Sequence, residues 1–210
     1  ANFPKSDYYN ENVYYLGYGY ESIADFSKSA DYYEEFFALT KDHENSKSAI
    51  GLAASFRKAS GDYEQAIANY QAFIKAFPSD SKVTSIRLAI ANTYQDNERW
   101  SAAAKGYYEL FTKPPSDMDT DTIFECRLKY GQALEKQGKN PDKHWKDTLQ
   151  AYAKAVSANA EIGGASSVAA EIRFKQLAPK LESYYALNIS GPGPGRASNS
   201  YIDNVIKSQL

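Results

Sequence analysis

Between Gly61 and Asp80, in GDYEQAIANYQAFIKAFPSD, the apolar residues fall three and four positions apart. Tyr63, Ala66, Ile67, Tyr70, Phe73, Ile74 and Phe77 therefore line one stripe of a 3.6-residue helix, with polar residues on the other faces. Asp62 stands at the N-cap position, where a carboxylate accepts from the unpaired N–H groups of the first turn, and Pro78 stands where a helix must stop. The same layout recurs over 97–117 and, less cleanly, over 23–41 and 143–159.

The recurrence has a register. From Gly17, offsets of 3, 9, 12, 16 and 19 reach Tyr20, Phe26, Ser29, Tyr33 and Phe36. From Ala54 they reach Arg57, Tyr63, Ala66, Tyr70 and Phe73, and from Ala91 they reach Tyr94, Trp100, Ala103, Tyr107 and Leu110. The frame repeats every 37 residues. A fourth copy opens at Gly131, 40 residues further on; Leu134 keeps its offset, while Trp145, Thr148, Tyr152 and Ala155 arrive five residues late, after a lengthened turn at 138–142. One column thus reads Tyr33, Tyr70, Tyr107 and Tyr152. Two antiparallel helices joined by a short turn cannot bury both apolar faces alone, so each pair must stack on the next. Small residues mark close helix crossings: Gly17, Ala54, Ala91 and Gly131 on the first helices, and Ser29, Ala66, Ala103 and Thr148 on the second.

The pattern predicts an all-α solenoid with repeats at about 10–43, 47–80, 84–117 and 124–159; the first pair is read as 10–21 and 24–39. The stretch Asn2-Phe3-Pro4 echoes Ala76-Phe77-Pro78, the end of a repeat, so 1–9 reads as the tail of an upstream repeat. Gly163-Gly164 is expected to break the chain before a capping helix within 161–189. Pro179 is expected to kink or interrupt that helix, whose stripe includes Leu177, Leu181 and Tyr184-Tyr185. Residues 190–200, rich in Gly and Pro, read as a linker, and 201–210 as a short amphipathic terminal helix.

Composition narrows the chemistry. A net charge of −2 gives no electrostatic case for nucleic acid or an anionic membrane. No apolar run approaches transmembrane length. Cys126 is the sole cysteine and His43 and His144 the sole histidines, so neither a disulfide framework nor a zinc or iron centre is expected, and no cofactor. Both histidines are expected in exposed turns. Cys126 reads as a core residue rather than the nucleophile of a hydrolase or transferase. Asp117-Met118-Asp119-Thr120-Asp121 lacks the central Gly and distant Glu of a calcium loop, and reads as a helix-capping turn. Eighteen tyrosines exceed what packing alone requires, and Tyr is favoured at interfaces.

These columns resemble the tetratricopeptide repeat: a small residue in the first helix, an aromatic three later, then Ala and an aromatic four apart in the second. The second repeat (Ala54, Tyr63, Ala66, Tyr70, Phe73, Pro78) is the nearest match, and the third, ending Lys113-Pro114-Pro115, is almost as near. Arg57 departs from the aromatic, and the first repeat lacks its closing proline. The 37-residue spacing is similar to that of bacterial envelope members of the family with runs of the type Phe-Pro-x-Ser. This resemblance implies a right-handed superhelix, a periplasmic or other envelope setting with the cytoplasm as the alternative, and a non-catalytic scaffold whose first helices form a concave groove for a protein or peptide segment. Groove positions implied by the family are Tyr14, Tyr18 and Glu21; Gly51, Ser55 and Lys58; Leu88, Asn92 and Gln95; and Leu128, Gln132 and Glu135. Tyr14 and Tyr18 would anchor side chains, and Asn92 and Gln95 would hydrogen-bond a peptide backbone. The family's cationic clamp for chaperone C-termini has no counterpart: Tyr14, Tyr18, Ser55, Ser85 and Ala89 stand there. Self-association through repeat edges, or a role as one section of a longer array without a ligand of its own, is the competing expectation.

Overall fold

The computed structural model describes residues 8–158, 160, 163–186 and 207; the tail at 1–7, the linker at 190–200 and all of the terminal helix except Lys207 lie outside them. Among the described residues there are nine α-helices and no strand, an all-α helical repeat. The chain divides into two compact units, Ala1–Pro141 and Asp142–Leu210. The first holds α1 (Tyr9–Ser22), α2 (Phe26–Leu39), α3 (Ser46–Ala59), α4 (Tyr63–Ala76), α5 (Val83–Asp96), α6 (Trp100–Thr112) and α7 (Thr120–Lys136), each packed against its neighbours in sequence. The second holds α8 (Asp142–Ser157) and α9 (Gly163–Tyr185), packed on each other.

The hairpins α1/α2, α3/α4 and α5/α6 close through turns at 23–25, 60–62 and 97–99, in the 37-residue register. The middle residue of each turn, Ala24, Gly61 or Glu98, has a left-handed φ of 59°, 80° or 52°. Gly138, seven residues after its small residue like the other three, has φ 70°. The hydrogen bonds repeat too. Asp25 N–H, Asp62 N–H, Arg99 N–H and Lys139 N–H donate to the carbonyls of Tyr20, Arg57, Tyr94 and Leu134 at 2.8–3.0 Å. The residue before each donates to Glu21, Lys58, Gln95 and Glu135. This is the paired Schellman closure, which uses two carbonyls that the helix end would otherwise leave unpaired. Asp25 and Asp62 then accept from the N–H of Lys28 and Gln65, opening α2 and α4.

The core follows the predicted columns. Gly17, Ala54, Ala91 and Gly131 are all buried, as are Ser29, Ala66, Ala103 and Thr148. A Cβ at Gly17 would lie 2.8 Å from two ring carbons of Tyr33, which is why that crossing takes no side chain. Tyr33, Tyr70 and Tyr107 are buried, each contributing on the order of 1.5–3 kcal/mol through burial of apolar surface. Each first helix also feeds the preceding hairpin. Ala49 of α3 joins Val13, Tyr33 and Phe36; Ile86 of α5 joins Ala54, Tyr70 and Phe73; Cys126 of α7 joins Ala103, Tyr107 and Leu110.

Several expectations are corrected. The first helix of the fourth repeat begins at Thr120 rather than near 124, because Asp119 caps it. Tyr152 is only half-buried, and its hydroxyl meets that of Ser166 at 3.1 Å. Gly163 and Gly164 open α9 instead of breaking the chain before it, and α9 runs through Pro179 without interruption. The buried residues of α9, Ala165, Val168, Ala169 and Ile172, stop short of that proline, and Leu177, Leu181, Tyr184 and Tyr185 are exposed.

Candidate functional site

The positions implied for a groove lie on α1, α3, α5 and α7, and the tyrosine column organises several of them from behind. The Tyr33 hydroxyl donates to Glu21 Oε2 at 2.6 Å, and the Tyr107 hydroxyl reaches Asn92 Oδ1 at 2.8 Å and Gln95 Oε1 at 2.9 Å. Burial raises both phenols above their ordinary pKa, with the Glu21 bond adding to the effect at Tyr33, so both hydroxyls keep their protons. Adjacent first helices are stitched by polar bridges. Lys58 of α3 pairs with Asp96 of α5 at 2.9 Å, and Lys129 of α7 donates to Asn92 of α5 at 2.9 Å. This first-helix row holds Glu21, Lys58 and Gln95 at one register position of α1, α3 and α5, with Asn92 a turn before Gln95, and each of the four is bonded to a side chain on another helix.

The remaining positions differ in character. Tyr18 is 58% exposed, and Ser55 is exposed with its hydroxyl donating to the Gly51 carbonyl. Tyr14 is half-buried in the first core cluster, its ring 5.6 Å from Tyr33 and 5.1 Å from Phe36. Leu88 packs on the third cluster, and Gly51 sits beside Phe73. Leu128 and Gln132 are half-buried on α7, and Glu135 is exposed.

A polar cluster between α2, α3 and α4 was not anticipated. Arg57, which departs from the aromatic column, donates through Nε and Nη2 to both oxygens of Glu34 at 2.8 and 2.7 Å, and through Nη2 to Asp31 at 2.5 Å. Asn69 Nδ2 donates to Glu34 at 2.6 Å, and Gln65 Nε2 to Asn69 at 3.3 Å. Burial alone would raise the Glu34 carboxyl, but the bonds from Arg57 and Asn69 more than offset it and hold it below the ordinary glutamate range. A signal was present in the sequence: Arg57 interrupts an aromatic column, and Asp31 and Glu34 stand on the preceding second helix.

The isolated chemical groups do not converge. Cys126 is fully buried, and burial pushes its thiol up to about 12, so it holds no thiolate at neutral pH. His43, expected in an exposed turn, is half-buried against Phe36 with Nδ1 accepting from Asn45 N–H; His144 is half-buried in the first turn of α8, near Thr148. Asp119 accepts from both the N–H and the hydroxyl of Thr122, as a capping turn requires, and Asp117 accepts from Thr84. Among the described residues no group of His, Cys, Asp or Glu is arranged to hold a metal, and no helix is long and apolar enough to cross a membrane.

No protein-family model and no curated protein matches the chain. Among solved structures, the chain is similar to the crystal structure of BtubC (BKLC) from P. vanneervenii, at 12% identity and a TM-score of 0.48, covering 92% of this chain and 70% of that one.

Proposed function

We propose that this chain is a tetratricopeptide-like, non-catalytic scaffold whose first helices receive a segment of a partner protein. The observation that carries this reading is that Glu21, Asn92 and Gln95 are bonded by buried tyrosine hydroxyls and Lys58 by Asp96, while Tyr18 and Ser55 on the same first helices are exposed. Polar side chains already fixed in place lose little entropy when they bind a peptide backbone. An exposed tyrosine supplies a large contact area at small rotamer cost. The cell envelope is proposed as the setting on the style of the 37-residue repeat with its Phe77-Pro78-Ser79 run. The test is photocrosslinking in the source cells from a benzoylphenylalanine placed at Tyr18 or Ser55. One discrete crosslinked protein, lost on Lys58→Glu with Asn92→Ala, is the expected result; crosslinking unchanged by those substitutions would sink the reading.

A second reading, one section of a longer repeat array, is favoured by the outer face of α1. Leu52 and Ala53 of α3, and Ala89 and Ile90 of α5, pack on the hairpin before them. Their counterparts on α1, Tyr15 and Leu16, are 65% and 45% exposed. A further hairpin of the same kind would cover them. Protection of Tyr15 and Leu16 from surface labelling in the full-length gene product, without any crosslinked partner on the first-helix row, would favour this reading over the first.

A further inference from the structure

The 37-residue register places a cleft where the preceding junction carries the Arg57 cluster. Moving one repeat along, Glu34 becomes Gln71, Arg57 becomes Tyr94, Gln65 becomes Ala102 and Asn69 becomes Gly106. At those register positions the bonded trio of guanidinium, carboxylate and amide that ties α2, α3 and α4 together has no counterpart. What remains is a cleft of about 760 Å³ lined by Gln71, Tyr94, Ala102 and Gly106 among others, in the size range of sites that hold ligand side chains. Ile90, Ala91 and Leu110 supply apolar lining. Arg87, Lys105 and Lys113 also line it, against the single carboxylate of Glu109. Lys105 pairs with Glu109 only at 4.0 Å, and Arg87 and Lys113 form no ion pair among the described residues.

From this we infer that the α4–α5–α6 cleft is a second binding site, distinct from the first-helix row, for an acidic amphipathic segment of a partner protein. The occupant supplies carboxylates to Arg87 and Lys113 and an apolar side chain to Ile90, Tyr94 and Leu110. It thereby provides from outside the charge that Glu34 provides from inside at the preceding junction. Charge complementarity selects acid, and the apolar lining selects a peptide over a phosphate backbone. Two basic side chains with no ion pair among the described residues can pair there without first breaking one.

The experiment uses the whole chain and a fluorescein-labelled peptide with Glu on one helical face and Leu and Phe on the other, followed by fluorescence anisotropy. Saturable binding that weakens as salt is raised is expected. Arg87→Glu with Lys113→Glu, both at exposed positions, should weaken it by roughly tenfold or more, the order expected when two attractive lining charges become repulsive. Gln71→Glu with Tyr94→Arg should rebuild the sealing pair inside the cleft and also abolish binding. Four results would overturn the inference. These are no binding to the native chain, undiminished binding to the charge-reversed variant, loss of binding only in Tyr18→Ala with Lys58→Glu on the first-helix row, and tighter binding of an oligothymidylate than of the peptide.

Discussion

The junction between the first two hairpins and the junction between the second and third are built from the same columns and end in different states. At the first, Arg57, Glu34 and Asn69 satisfy one another, so a half-buried carboxylate and a half-buried guanidinium sit together at little net cost. At the second, the same columns hold Tyr94, Gln71 and Gly106, and space is left open. A repeat fold keeps its stacking through the small-residue and aromatic columns alone. The other positions are therefore free either to lock a joint or to leave it receptive.

The contrast can be broken first by Arg57→Ala. Glu34 and Asp31 would then lose their shared partner, at a cost of about 2 kcal/mol once solvent screening of this partly exposed cluster is allowed for. The urea midpoint should fall accordingly. Tyr94→Ala, at the matching place beside the cleft, removes only half-buried packing and should cost about half as much, near 1 kcal/mol. Equal losses at the two sites would mean that the junctions are not different in kind.

Gly106→Ala is the next test. A Cβ at 106 would lie 2.9 Å from Ala91 Cβ, so α5 and α6 would have to part, at a net cost of about 1 kcal/mol after the gain in helix propensity. At Gly51 an added Cβ would meet only the Phe73 ring at 3.9 Å, and Gly51→Ala should be neutral or stabilising. The turns give a comparable effect of the opposite sign. Ala24→Gly and Glu98→Gly should each stabilise by about 0.5–1 kcal/mol, since left-handed φ strains any side chain, whereas Gly61→Ala should destabilise.

The smallest effect is in acid. Because the Glu34 carboxyl is held below its ordinary value in the fold, its contribution is fully present above the unfolded pKa of about 4.3 and fades as pH falls through the lower folded value. Glu34→Gln should flatten that acid limb in thermal melts between neutral and low pH, and Gln71→Gly, beside the cleft, should leave it unchanged.

The stacking was legible because it is written in side chains that recur. Tyr33, Tyr70 and Tyr107 mark one column, and Gly17, Ala54 and Ala91 mark the crossings. Asp62 and Pro78 also announced both ends of α4. The Arg57 cluster was half-written: the departure was visible, but nothing local tied Arg57 to residues 23 and 26 positions earlier on another helix. The cleft could not be read at all, since it arises where Gly106 and Ala102 fail to fill a volume that only packing defines. The family resemblance implies a groove position three residues before the small residue Gly17, and so makes Tyr14 an anchor for a partner. The fold gives that ring to Tyr33 and Phe36 and leaves Tyr18 outside.

Every first helix from α1 to α7 is ended by bonds that reach back no further than five residues, whatever follows. The terminator is therefore self-contained, and the next helix can begin sooner or later without any message reaching the one before. At 138–142 the chain uses this freedom: Gly138 and Lys139 close α7 in the same way as the shorter turns, and the surplus residues fall beyond the stop. Insertions placed just after such a stop are the length changes that a lineage of these modules can accumulate without disturbing the helix already made.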